Sequence, residues 1–378
     1  MSAAGLVFSN IHDQNIPDLT RKRTMASVPF GCRYRLIDFT LSNMVNSGIT
    51  KVGVITHNNY QSLLDHIGTG KDWDLARRSG GIKLLPPFIS SFNGAGANKL
   101  YSTRLEAMMG AMDFISRCTE DHMVLSDCDA ISNIDLSDVI RQHKETGADI
   151  TIVTTKVDTD ITEISSGSAI ITSDENNRIS DVVHYSRRIR GIKELSTNII
   201  IADRTYLQNA VSDAISHGYT SFYSDIIDRN LLRANYFVYH YDGFYAQINS
   251  LAGYYACNMK LLEPGMGNAL FGQPNRPILT KVRNSAPTRY TSDAKVKNSL
   301  VADGCLIEGV VENSIIFRGV KIGKGSVVKN CILMQDTVVG DSVTLGCVVS
   351  DKNVFIKDDR NLSGHSTLPF FISKGTII

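Results

Sequence analysis

No apolar run in this sequence approaches the roughly 18 residues that cross a bilayer, so no membrane span is expected. The opening MSAAGLVFSN has neither the basic nor the apolar region of a secretory signal, and cytoplasmic residence is the expectation. Cysteine is sparse: seven residues, an odd number, widely spaced and without a CxxC pair, which argues against a disulfide framework. Charge of one sign is also missing. Lys plus Arg number 39 and Asp plus Glu 38, a net +1 that gives no support to nucleic-acid binding. The nine histidines show no metal-ligand spacing. Glycine numbers 29, yet none falls between residues 10 and 16.

What is present is ordinary globular material, 43% apolar and 20% charged. At 378 residues the chain exceeds the roughly 250–300 at which single cores stop growing, so two or three domains are expected. Short apolar strands at 6–9, 52–56, 123–126 and 149–154 alternate with helical spacing at 36–47, 105–115 and 136–146. This alternation predicts an α/β domain with a mostly parallel, Rossmann-like sheet. The stretch 79–96, rich in GG, PP and NGAG, reads as a long surface loop, either a functional lid or a disordered segment. A last helix at 249–262 stops at Pro264-Gly265. The aromatic run Tyr236, Phe237, Tyr239, Tyr241, Phe244 and Tyr245 suits buried strands better than base stacking.

From about residue 293 the period changes. Val310, Ile316, Ile322, Val328 and Met334 recur every six residues, as do Val327, Leu333, Val339 and Leu345. No α-helix has that period. A left-handed parallel β-helix does, because each triangular coil uses three hexapeptides; irregular hairpins are the alternative. The expected division is a first domain at 1–264, a linker at 265–292 and the β-helix at 293–378.

The run Val28-Pro-Phe-Gly-Cys-Arg-Tyr-Arg-Leu-Ile-Asp-Phe-Thr-Leu-Ser-Asn43 is long and specific. With Ser47-Gly48-Ile49, His66-Ile67-Gly68 and Trp73-Asp74-Leu75, it resembles bacterial glucose-1-phosphate adenylyltransferases (ADP-glucose pyrophosphorylases), and the resemblance covers essentially the whole chain. It implies a sugar-nucleotide transferase domain followed by a left-handed β-helix, assembled as tetramers. Catalytic members make ADP-glucose from ATP and glucose 1-phosphate with Mg²⁺, for glycogen or starch synthesis.

Against that family pattern the catalytic pieces depart together. The glycine-rich phosphate loop is replaced by Asn10-Ile-His-Asp-Gln-Asn-Ile16, with no glycine and a negative Asp13. Of the basic triphosphate segment Arg23 remains, while the lysine becomes Met25. Asp129 matches the first metal-binding aspartate, but Gln247 stands at the second, and a neutral amide brings no charge to Mg²⁺. Asp127 is a candidate substitute, since residues two apart on a strand face the same side. The sugar-phosphate lysine is replaced by Tyr185; Asn198 lies in the altered sugar segment, and Asp225 matches a family aspartate.

Phosphoryl chemistry depends on positioning and charge neutralisation, so these losses should abolish turnover. The pattern resembles the catalytically degenerate subunit that some bacteria carry beside a catalytic one. It implies a regulatory subunit of glucose-1-phosphate adenylyltransferase in glycogen biosynthesis, in a heterotetramer. No catalytic residue, metal or cofactor is expected on this chain; Mg²⁺ belongs to the catalytic partner. The alternatives are a weakly active enzyme, a metabolite-sensing module with a vestigial site, and a homo-oligomer unrelated to glycogen.

Overall fold

The computed structural model describes residues 2–86, 101–165 and 167–378. They divide into two compact units interleaved in sequence: 1–12, 39–247 and 274–279 form the first, and 13–38, 248–273 and 280–378 the second.

The first unit is built on a nine-stranded sheet in which Ala3–Phe8 is central and fully covered. Lys51–Ile55 and then Gly81–Leu85 lie parallel on one side of it, and His122–Asp127 lies parallel on the other. The order in which strands are added to the sheet therefore reverses between Ala3–Phe8 and His122–Asp127, while the strands stay parallel. In open α/β sheets the carboxyl ends of such strands form the ligand crevice. Beyond His122–Asp127 the sheet turns antiparallel. The long strand Ile192–Asp203 pairs antiparallel with His122–Asp127, Ile150–Asp158 and Ala169–Ser173, and Ala169–Ser173 forms a hairpin with Ile179–His184 at this edge. Tyr236–His240 adds a parallel strand on Ile150–Asp158, with Tyr236 and Val238 in the core.

Several local expectations shift. Part of the expected 79–96 loop, Gly81–Leu85, is a strand; residues 87–96 of that loop lie outside the described residues. The single helix expected at 105–115 is two, Arg104–Gly110 and Met112–Ser116, because Ala111 leaves helical geometry. Thr103 and Glu106 form a reciprocal capping box that fixes where the first begins. In the second unit Leu251–Met259 starts at the cap Ser250, and another short helix, Met266–Phe271, follows Pro264-Gly265.

The C-terminal region is a left-handed parallel β-helix of three five-stranded sheets. Its core runs Val311, Ile316, Ile322, Val328, Leu333, Val339 and Leu345, all essentially inaccessible. The two expected six-residue series are thus one series in which every third step is five residues. Val310 and Val327 face outward and are only partly covered. Most coils advance by 17 residues, for example Lys321 to Val338 to Phe355. The corners need left-handed backbone, and Asn313, Asn330 and Cys347 supply it at one corner with φ of 45°, 53° and 50°. Along one face the outward residues Ile315, Ile332 and Val349 are fully buried, beside Tyr255, whose hydroxyl donates to the Asn330 carbonyl. Among the described residues no helix is long and apolar enough to cross a membrane.

Candidate functional site

At the carboxyl end of the two central strands, Phe8 and Asp127 are register partners. The chain continues from Phe8 into the glycine-free loop and brings His12 back over the strand ends. His12 Nε2 lies 2.7 Å from Asp127 Oδ2 and 3.5 Å from Asp129 Oδ2. Arg104, from the first turn of its helix, approaches Asp127 with Nη2 at 2.6 Å and Nε at 3.3 Å. Aromatic rings surround the guanidinium, with Phe8, Phe222 and Tyr223 centred 5.7, 6.0 and 5.8 Å away.

Asp129 is held differently. Tyr245–Gln247 pairs antiparallel with Ala130–Ser132, and the register sets Gln247 opposite Ala130. The Gln247 amide then donates to Asp129 Oδ2 at 2.8 Å. Asp129 Oδ1 and the Tyr245 hydroxyl are buried without a hydrogen-bond partner.

The electrostatics follow from these contacts. Burial opposes charge on His12, but Asp129 and Asp127 outweigh it and raise its pKa to about 9. Burial would push Asp127 up, yet Arg104 and then His12 hold it below the usual carboxylate range. Burial pushes Asp129 up, and the neighbouring Asp127 charge adds to that against the pull of His12. Two carboxylates therefore meet two resident cations.

That donor set does not fit Mg²⁺. The ion prefers several hard oxygen ligands and excess negative charge. Three ligand-type atoms, from His12, Asp127 and Asp129, do lie within 4.8 Å of one another. Both Asp127 oxygens, however, are taken by Arg104 and His12, and Asp129 keeps only Oδ1 open. A dication would have to displace a protonated imidazole and compete with a buried guanidinium.

Of the positions expected on the sugar side, Asn198 reaches this cluster indirectly. Asn198, at φ 62°, accepts from the Tyr223 hydroxyl, and Tyr223 also bonds Ser196 and flanks Arg104. Tyr185 packs with Tyr245 against Ile164, Ile170 and Leu195. Asp225 is committed locally, accepting from the Thr220 and Ser221 amides and lying near Arg229.

Arg23 and Met25 belong to the second unit. Arg23 Nη2 bonds both oxygens of Asp351, at 2.7 and 2.8 Å, and its Nη1 is buried without a partner. Met25 is fully buried, and its amide donates to Asp13. Burial, followed by the charges of Arg35 and Arg23, depresses Lys352 to about 7 against the pull of Asp351.

Two members of the cluster, His12 and Arg104, were not singled out by sequence. His12 lies 115 residues from Asp127, and no local spacing links them. The one available signal was a histidine inside a loop whose glycines are missing.

Residues 15–183 match the nucleotidyl transferase family, and residues 285–365 match the GlmU-like C-terminal hexapeptide family. The glycogen biosynthesis protein GlgD of Bacillus subtilis (strain 168) is 32% identical over 375 residues, which cover 99% of this chain and 96% of that protein. GlgD of Geobacillus stearothermophilus is 33% identical, over 99% of this chain and 96% of its own. A glucose-1-phosphate adenylyltransferase of Mycoplasma mobile is 33% identical over 318 residues, 83% of this chain and 81% of that enzyme.

Proposed function

The chain belongs to the family of glucose-1-phosphate adenylyltransferases and the glycogen biosynthesis protein GlgD, and we propose that within it the chain is a regulatory subunit without catalysis of its own. It acts in glycogen biosynthesis, supporting ADP-glucose synthesis from ATP and glucose 1-phosphate by a catalytic partner. The observation that carries this reading is the self-neutralised cluster. Arg104 and His12 satisfy Asp127, while Gln247 and His12 occupy Asp129 Oδ2. Phosphoryl transfer needs charge stabilisation by metal and cations aimed at substrate, and here they are aimed at each other.

The partner is a catalytic adenylyltransferase subunit in a heterotetramer, and the Mg²⁺ of the reaction resides there. A cytoplasmic setting goes with this reading, in keeping with seven free cysteines. A subunit that binds one conformation of its partner preferentially shifts the partner's population toward it.

Co-expression with a catalytic homologue from the same cell tests the proposal. The expected result is co-purification, altered turnover of the complex and none from this chain alone. Turnover by the isolated chain, or failure to co-purify, overturns it. A second reading, metabolite sensing, is favoured by one observation: the unpartnered Arg23 Nη1 within a cation-rich cluster. Calorimetry of the isolated chain with ATP and sugar phosphates tests that reading.

A further inference from the structure

We propose that His12 is the residue that closes the carboxylates Asp127 and Asp129 to divalent cations, and that removing its side chain opens a cation site between them. The closure rests on the reading of a chain without catalysis. It moves the cause of the lost metal site from Gln247 to the glycine-free loop. His12, Asp127 and Asp129 bring their ligand-type atoms within 4.8 Å of one another. The His12 side chain is 21% exposed, against 1% and 0% for the two aspartates, so His12 is the member of the trio that meets solvent. An ion arriving with its water shell meets the imidazole first.

His12 Nε2 lies 2.7 Å from Asp127 Oδ2 and 3.5 Å from Asp129 Oδ2. A ring nitrogen facing two carboxylate oxygens carries its proton there. The imidazole edge thus bridges the two carboxylates, which is the role a divalent ion takes between acidic side chains. Charge points the same way: Arg104 balances one carboxylate and protonated His12 the other. The root of the loop fixes this reach. Ser9 Oγ donates to the Ile55 carbonyl at 2.7 Å and the Asn10 amide to the Asn58 carbonyl at 3.1 Å, so the chain is tied to the neighbouring strand before it turns back toward Asp127. Gln247 leaves the site open by comparison. It holds Asp129 Oδ2, while Oδ1 stays buried without a partner, and an amide also carries a carbonyl oxygen of the kind that ligates hard cations. Nor does Arg104 exhaust Asp127: a carboxylate offers about four lone-pair sites, and Arg104 fills them from Nε and Nη2 only. With His12 gone, two buried carboxylates face one guanidinium, and uncompensated buried charge attracts a cation.

The test uses the untagged full chain with Mn²⁺ as probe, read by loss of the free-ion EPR signal, and Mg²⁺ as competitor. His12→Ala should bind Mn²⁺ at least tenfold more tightly than wild type, Mg²⁺ should displace it, and Asp129→Asn in that background should remove the gain. Gln247→Asp with His12 in place should bind no better than wild type. His12→Ser carries the same expectation should His12→Ala fail to fold. In the wild type itself Mn²⁺ should leave the His12 ring resonances unbroadened, a readout that needs no variant. Broadening there, a gain in Gln247→Asp equal to that in His12→Ala, a gain that survives Asp129→Asn, or no gain because the stranded carboxylate takes up a proton instead would each overturn the proposal. Cation binding is measured apart from turnover and co-purification, so a failure here is distinguishable from a failure of the regulatory reading.

Discussion

Gln247 and Asp129 are 118 residues apart in sequence, yet the amide of one donates to the carboxylate of the other at 2.8 Å. The antiparallel pairing of Tyr245–Gln247 with Ala130–Ser132 enforces the contact. A neutral donor therefore holds one Asp129 oxygen, at the position where the resemblance implies the family's second metal ligand.

Gln247→Asp should not restore turnover. It removes the donor and places a third carboxylate beside two buried ones, which costs about 1–3 kcal/mol for the unsatisfied groups. Denaturant unfolding at pH 7 should show that loss, and it should shrink as pH falls and the added carboxyl protonates. ADP-glucose formation by this variant alone would contradict the reading of a disarmed site.

The His12 ion cluster sets one part of the pH profile. Its pKa is raised from 6.5 to about 9, so its stabilising effect is complete below pH 6.5 and is lost as pH rises through 9. The amount is on the order of 3 kcal/mol. Lys352 works the other way. Its pKa is depressed from 10.5 to about 7, so the folded state gains stability as pH rises between those values. The two trends oppose each other in wild type. His12→Asn should leave a stability that climbs from pH 7 to 10, and Lys352→Met one that falls. Chemical denaturation across that range checks both slopes.

Much of the architecture was legible because it is written in local periodicity. The helix Leu36–Asn46 ends beside Gly48, and the strands Lys51–Ile55 and His122–Asp127 carry uninterrupted apolar stretches. The solenoid announced itself through a period that no helix shares. The five-residue step was hidden because Val310 and Val327 neighbour the inward Val311 and Val328, so two registers looked equally regular. The site was half legible. Asp129 and Gln247 sit on segments with alignable neighbours, whereas His12 and Arg104 meet Asp127 only through tertiary folding. A spacing rule has no access to such a contact.

The corners of the β-helix offer a test of backbone conformation independent of packing. Asn353 is exposed and holds φ 57°. Asn353→Gly should be nearly neutral. Asn353→Val should cost about 1–2 kcal/mol, because a β-branched residue resists the left-handed region. Equal thermal stability of the two variants would mean that this corner relaxes to another conformation.

The strongest energetic commitment of the site is the pair Arg104–Asp127. Side chains 8% and 1% exposed meet at 2.6 Å. Desolvating both charges is costly, so the pair as a whole adds little stability over an apolar replacement, but losing one partner strands the other. Arg104→Met should therefore destabilise the chain by about 3–5 kcal/mol at pH 7. His12 remains on Asp127 and softens the loss, which puts the expected value toward the lower end. The stranded carboxylate should take up a proton more readily, so the deficit narrows at acid pH. In Arg104→Met combined with Asp127→Asn, no buried charge is left unpaired, and much of the lost stability should return. A double-mutant cycle by denaturant unfolding reads this coupling directly. Additive losses in the double variant would show that Arg104 matters for its packing among Phe8, Phe222 and Tyr223 rather than for its charge.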